Sequence, residues 1–263
     1  VNYILTHYTG DLNQPGLQAF VHSTRLVDAQ VIFFTTNTEI PEGIRADHVR
    51  YVITKPWHWP HIQRHFDWLN LIREEDLQGK FFICDSRDLV FMGDPFKSLT
   101  GGSHYVHVFQ ECALYRNRDE YYNAWWMDCM RQGALDEMGD LPILCGGTIF
   151  GETRQAIERY LVAHTELLTQ YIPTMGQIFS DQSSFCECIR QRMAGDPNLI
   201  IHKNEMPSLV YTMGNVPEGE YTVEGHRVQV NGYLPTVIHQ FDRRFPAFRL
   251  ISDLYPFWPQ FPS

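Results

Sequence analysis

No stretch of this sequence is apolar for the roughly 20 residues that a membrane-spanning helix requires, and no basic-then-apolar leader opens it. Positive charge is also scarce: 21 Lys and Arg stand against 31 Asp and Glu, a formal charge of −10 with His neutral. That shortage opposes binding to nucleic acid or to an anionic lipid surface, which calls for a basic patch. Repeats, low-complexity tracts and linkers are missing too. The six cysteines (Cys84, Cys112, Cys129, Cys145, Cys186 and Cys188) include no metal-binding pair of pairs. Cys186 and Cys188 stand two apart on an expected helix, so they project in different directions, which excludes a structural zinc. Scattered within apolar runs, they read as small buried hydrophobes of a reducing compartment. The expectation is a soluble, cytoplasmic protein without a membrane span; an anchor trimmed from ahead of Val1 stays open.

What is present is an ordinary globular composition, 44% apolar and 20% charged over 263 residues. That length suits one large domain or two small ones with a sizeable core. The chain is organised around KFFICDSRDLVFMGDPF, Lys80 to Phe96. The unbroken apolar run Phe81–Cys84 predicts a strand buried on both faces of a parallel sheet. It stops at Asp85, and Arg87 and Asp88 follow. Acids at the C-terminal end of such a strand stand where open α/β sheets bind ligands. Two acids that close can hold a hard divalent cation. Extended residues three apart point to opposite faces, so Asp85 and Asp88 converge only if the chain bends at Ser86-Arg87. The bland alternative, a surface turn with a local Asp–Arg pair, carries comparable weight on spacing alone.

Around that stretch the first ~90 residues read strand, helix, strand, strand, helix, strand, the rhythm of an α/β nucleotide-binding half. Strands are predicted at Asn2–Thr6, Val31–Thr35 and Val49–Thr54, and helices near Leu17–Asp28 and over Pro60–Leu77. Further on come a strand at Tyr105–Phe109 and a helix over Arg118–Gln132. Its Tyr121, Tyr122, Trp125 and Trp126 read as core rather than as a sugar platform. Ile143–Cys145 runs into Gly146-Gly147, which permits a close backbone approach or a strand bend. A helix over Glu152–Ile172 precedes Ser180-Asp181-Gln182, where a helix cap and an active-site acid are equally open. Strands close the chain at Leu209–Thr212, at Tyr221–Val230 (a hairpin broken at Glu224-Gly225) and at Leu234–His239. A tail rich in Pro and aromatics follows through Trp258 and is expected to pack over the core.

Four motifs in order resemble nucleotide-sugar glycosyltransferases of the GT-A fold. CDSRDLVF followed by GDPF is similar to the variant DxD motif written D-x-R-D-V-x-F. ILCGGTIFG resembles the glycine-containing strand lining the acceptor side, and SDQSSF the Asp-Gln helix start facing the transferred sugar. VIHQFDRRF resembles the late His-Gln-Tyr-Asp-Arg element whose His completes the metal site. The likeness covers nearly the whole chain and is closest to compact bacterial and algal-virus enzymes. The departure is the spacing of the acids: Asp88 matches the second, metal-binding acid, Ser86 stands at the first, and Asp85 is shifted by one.

The resemblance implies a Rossmann-type, mostly parallel central sheet flanked by helices, with a small antiparallel C-terminal portion. It implies a single domain with a nucleotide-sugar-binding half, 1–100, and an acceptor-binding half, 101–263, carrying the last metal-site strand. The implied activity is metal-dependent transfer from a nucleotide-diphosphate sugar, a UDP-sugar first, to a hydroxyl of a glycan or glycoprotein acceptor. Asp85, Asp88 and His239 would hold Mn²⁺ or Mg²⁺, the imidazole nitrogen favouring Mn²⁺. Asp181 is the candidate general base or stabilising carboxylate near the anomeric carbon. Thr6, His7, Tyr8, Arg64, Asp85 and Arg87 are the candidates for donor binding. Two rivals remain. A sugar-phosphate nucleotidyltransferase would want a basic, glycine-rich loop after the first strand, where HYTGDLNQPG stands instead. The other is a non-catalytic carbohydrate-binding protein.

Overall fold

In a computed structural model of the protein, the described residues are 1–99, 104–111, 116–119, 124, 125, 127, 130–175, 181–214, 219, 221–224 and 227–243. Twelve strands are found among them. They are β1 (Asn2–His7), β2 (Gln30–Thr35), β3 (Val49–Ile53), β4 (Lys80–Cys84), β5 (Leu89–Phe91), β6 (Val106–Gln110), β7 (Leu144–Gly151), β8 (Leu199–His202), β9 (Val210–Thr212), β10 (Tyr221–Glu224), β11 (Arg227–Val230) and β12 (Val237–His239). Seven make the central sheet in the order β3-β2-β1-β4-β7-β6-β8, and β5-β12-β9 makes a second, small one. The protein is therefore mixed α/β with a mostly parallel central sheet and helices packed on it. Within the central sheet only β7 runs against its neighbours, antiparallel to both β4 and β6.

β4 sits in the middle because its sequence leaves no polar face. Phe81, Phe82, Ile83 and Cys84 are all fully buried. The expectation of parallel neighbours on both sides is corrected by half: β4 is parallel to β1, with Leu5 opposite Ile83, and antiparallel to β7, with Ile83 opposite Ile149. On one side of the sheet Ile83 and Ile149 join Trp68 and Ile72 of the helix Pro60–Glu74 and Tyr160 and Leu161 of the helix Arg154–Met175. On the other, Phe82 and Phe150 meet Phe20 of the helix Pro15–Ser23 and Phe91 of β5.

Element ends differ from the pattern-based limits for local reasons. The first helix stops at Ser23 because the hydroxyls of Ser23 and Thr24 turn back to the carbonyls of Phe20 and Val21, at 2.8 and 2.7 Å. The second stops at Glu74, since Asp76 takes a left-handed conformation (φ +49°). Glu152 does not join its helix; its amide bonds the carbonyl of Tyr105, and the Thr153 hydroxyl caps Ala156 instead. β12 is shorter than Leu234–His239, with Leu234 exposed. The strand β8 has no counterpart in the sequence reading. Of the helix expected over Arg118–Gln132, residues 117–119 form a 3₁₀ turn, and 124, 125, 127 and 130 are helical. Tyr121, Tyr122, Trp126, Cys112, Cys129, Ser180, Gly225 and the tail from residue 244 through Trp258 lie outside the described residues. Among the described residues no helix is long and apolar enough to cross a membrane.

The ring of Phe82 lies 5.6 Å from that of Phe91 and 6.2 Å from that of Phe150, tying the central sheet to the small one. Phe82→Ala should cost about 3–5 kcal/mol of stability, read as a lowered urea midpoint without change in the slope.

Candidate functional site

Asp85 and Asp88 follow β4, and the backbone bends over Ser86–Asp88. The condition for the two acids to meet is fulfilled. The Asp85 amide donates to the Gly147 carbonyl of β7 at 2.9 Å, and the Asp88 carbonyl accepts from the Gln240 amide at 2.7 Å. His239 ends β12, opposite Leu89 of β5 and Thr212 of β9. The central sheet thus fixes one acid and the small sheet fixes the other acid and the histidine.

One ligating atom each from Asp85, Asp88 and His239 lies within 4.8 Å of the others. Nε2 of His239 is 3.4 Å from Asp85 Oδ2 and 3.6 Å from Asp88 Oδ1, too long for good hydrogen bonds. It is buried and makes none. A buried imidazole nitrogen without a partner, facing two carboxylates, is a donor set that fits a divalent cation. Gly147 clears the space: a Cβ there would stand 2.8 Å from Asp85 Cγ and 2.9 Å from His239 Nε2. β7 is bulged at this point. Val108 of β6 faces Ile149, while Gln110, two residues on, faces Leu144. Bulges of this kind re-aim side chains beside functional sites.

Arg64, on the helix Pro60–Glu74, joins the metal cluster to Asp181. Its Nη1 donates to Asp85 Oδ1 at 2.5 Å and its Nη2 to Asp181 Oδ2 at 2.6 Å. Burial opposes the guanidinium charge, but Asp85 and Asp181 more than restore it. Burial likewise raises the pKa of Asp85, yet Arg64 and His239 together hold it well below the ordinary carboxylate value. Asp88 is raised, chiefly by burial, with Asp85 and Asp242 adding to the effect against the pull of His239 and Arg87. Burial opposes protonation of His239, but Cys145, Asp88 and Asp85 outweigh it and hold its pKa well above the ordinary imidazole value.

A cleft of about 470 Å³ opens in front of the cluster, lined by His7, Tyr8, Arg64, Asp85, Arg87 and Asp88 among others. These are six of the residues expected from the sequence. Thr6 does not line it; it is fully buried behind. His239 lies beneath the carboxylates, and Asp181 is reached through Arg64. Nε2 of His7 stands 3.3 Å from Asp67 Oδ2, and Nη2 of Arg87 stands 3.4 Å from Asp242 Oδ2. Pro60, His61 and Arg243 also line the cleft, and sequence reasoning passed over their part in it. Only Arg243, inside HQFDRR, carried a usable signal. A larger depression of about 710 Å³ around Asp11, Asn37 and Tyr51 shares none of the cluster residues. The chain matches no protein-family model, and a search of curated proteins finds no match.

Ligation at Nε2 requires that nitrogen to be free of a proton, and the raised pKa of His239 opposes its loss. Mn²⁺ affinity should therefore rise with pH, with protons released on binding. Calorimetry in two buffers of different ionisation enthalpy measures the proton count, and a pH-independent affinity would exclude His239 as a ligand.

Proposed function

We propose that this protein is a metal-dependent glycosyltransferase of the GT-A type. It moves a sugar from a nucleotide-diphosphate sugar, a UDP-sugar in the first instance, to a hydroxyl of a glycan acceptor. The observation that carries the reading is the meeting of Asp85, Asp88 and His239, from the middle and the far end of the chain, behind one cleft. The sheet order supports it: β1 and β4 are adjacent and parallel, and their C-terminal ends, His7-Tyr8 and Asp85–Asp88, both line that cleft.

On this reading Asp85, Asp88 and His239 hold a divalent cation, Mn²⁺ before Mg²⁺, which when bound neutralises the charge growing on the leaving diphosphate. His7 and Tyr8 border the nucleoside, and the exposed guanidinium of Arg87 faces the phosphates. Asp181 is the carboxylate nearest the reacting sugar. It takes the acceptor's hydroxyl proton if configuration inverts, or faces the oxocarbenium-like centre if it is retained. Arg64 holds Asp181 in place, so its contribution is to orient acids at least as much as to touch the donor.

Asp88→Ala should abolish metal-dependent transfer and donor hydrolysis while the far-ultraviolet circular dichroism stays native, and excess EDTA should reproduce that loss in the wild type. Activity surviving both treatments would sink the metal site. Asp181→Asn should lower turnover roughly 10²–10⁴-fold, the usual worth of an acid–base group, with donor affinity by calorimetry nearly unchanged. A variant that no longer binds donor would make Asp181 a binding group instead.

A further inference from the structure

Cys145 touches the candidate metal centre, and the proposed reaction gives it no task. Its Sγ lies 3.1 Å from Nδ1 of His239, and both side chains are buried, at 1% and 2% exposure. The opposite ring nitrogen, Nε2, faces Asp85 and Asp88 without a hydrogen bond. An imidazole nitrogen binds a cation only through its lone pair, so ligation at Nε2 requires the remaining ring proton to sit on Nδ1. The sulfur of Cys145 is the group that Nδ1 meets, and it is able to accept that proton.

The sulfur is itself held in place from the other side of β7. The side-chain amide of Gln182 donates to the carbonyl of Leu144 and accepts from the amide of Gly146 at 3.2 Å. It thereby clamps the peptide groups on either side of Cys145. Gln182 belongs to the helix Asp181–Glu187, so one helix start places both Asp181 and the strand that carries Cys145.

We propose that Cys145 is the positioning residue of the metal centre. Its sulfur accepts the Nδ1–H of His239, fixing the tautomer and the ring orientation so that Nε2 presents its lone pair between Asp85 and Asp88. Carboxylates and backbone carbonyls commonly fill this role behind a ligating histidine. A sulfur atom fills it here without placing a third carboxylate against the two acids. The proposal rests on the metal reading for the purpose of His239, but the position of the ring proton is a separate fact.

The test uses the full chain with Cys145→Ala and Cys145→Ser, measured in two ways. Calorimetric Mn²⁺ affinity should fall roughly 10–100-fold in the alanine variant, as for other losses of a partner behind a ligand. It should stay within about threefold of wild type in the serine variant, whose hydroxyl still accepts the bond. Long-range ¹H–¹⁵N spectra of the metal-free protein should show a proton on Nδ1 of His239, shifted downfield in wild type and Cys145→Ser, with that shift lost in Cys145→Ala. Unchanged Mn²⁺ affinity in Cys145→Ala, or a wild-type ring that carries its proton on Nε2 alone, overturns the proposal. Should the wild type bind no Mn²⁺ at all, the glycosyl-transfer reading fails on its own account. The spectra then decide the part of Cys145 alone: a downfield Nδ1–H that depends on the sulfur sustains it, and any other pattern overturns it.

Discussion

The site depends on one buried guanidinium. Arg64 spends two of its nitrogens on two carboxylates that are far apart in the chain, Asp85 and Asp181. Its ring-stacking neighbour Trp68 lies beneath at 5.4 Å, so the side chain is pinned as well as paired. Acids gathered behind a cleft repel one another and lose hydration. A planar cation that satisfies one oxygen of each removes both costs at a fixed geometry. Taking away one partner of such a buried pair typically costs about 3–5 kcal/mol, because the other charge is left stranded. Arg64 is therefore what allows the helix start at Asp181 and the strand end at Asp85 to share one small volume.

The groups beneath Arg64 follow from its charge. His65 and His164 are buried and their rings are 4.2 Å apart. Burial, together with the nearby guanidinium, keeps both neutral; His164 falls to about 3, and His65 also lies well below the ordinary imidazole value. A neutral His164 links Tyr160, whose hydroxyl lies 2.9 Å from Nδ1, to Ser184, 3.0 Å from Nε2. Ser184 in turn donates to the Asp181 carbonyl at 2.9 Å. The helix Arg154–Met175 thus holds the residue that Arg64 pairs with, and the interior stays polar without adding charge.

Much of this was legible in the residue pattern because the relevant signals are local. The Phe81–Cys84 run could only be a buried strand, and the polar residues after β1 and β4 fall at strand ends, where sheets of this kind open into clefts. What the pattern could not supply were contacts made across the fold. The antiparallel insertion of β7 beside β4 was hidden, because a strand buried on both faces reads the same whichever way its neighbours run. The bulge that aims Cys145 at His239 depends on pairing with β6; Gly146-Gly147 signalled a bend or a close approach without deciding between them. Arg64 sat on an ordinary amphipathic helix, and its two partners lie 21 and 117 residues away. The uneven spacing of Asp85 and Asp88 was correctly read as a condition, a bend at Ser86-Arg87, that only coordinates could fulfil.

The acidity of the chain also takes on a local meaning. A protein of net charge −10 repels anions at long range, so on the glycosyl-transfer reading the donor would be met by charge concentrated at one place. Arg87 and Arg243 reach the cleft surface, but each also stands near an acid: Asp242 at 3.4 Å and Glu111 at 3.6 Å. His239 is turned inward, with Nε2 facing Asp85 and Asp88. On the glycosyl-transfer reading, this balance is what makes the metal obligatory. A divalent cation held by Asp85, Asp88 and His239 would carry twice the charge of a proton and would make the cleft more attractive to phosphate. A fourth arginine in place of the histidine would have attracted the same anion permanently and held the diphosphate product as firmly as the donor. On the same reading, an exchangeable ion would tie strong phosphate binding to the loaded state, letting the site bind a diphosphate and then release it.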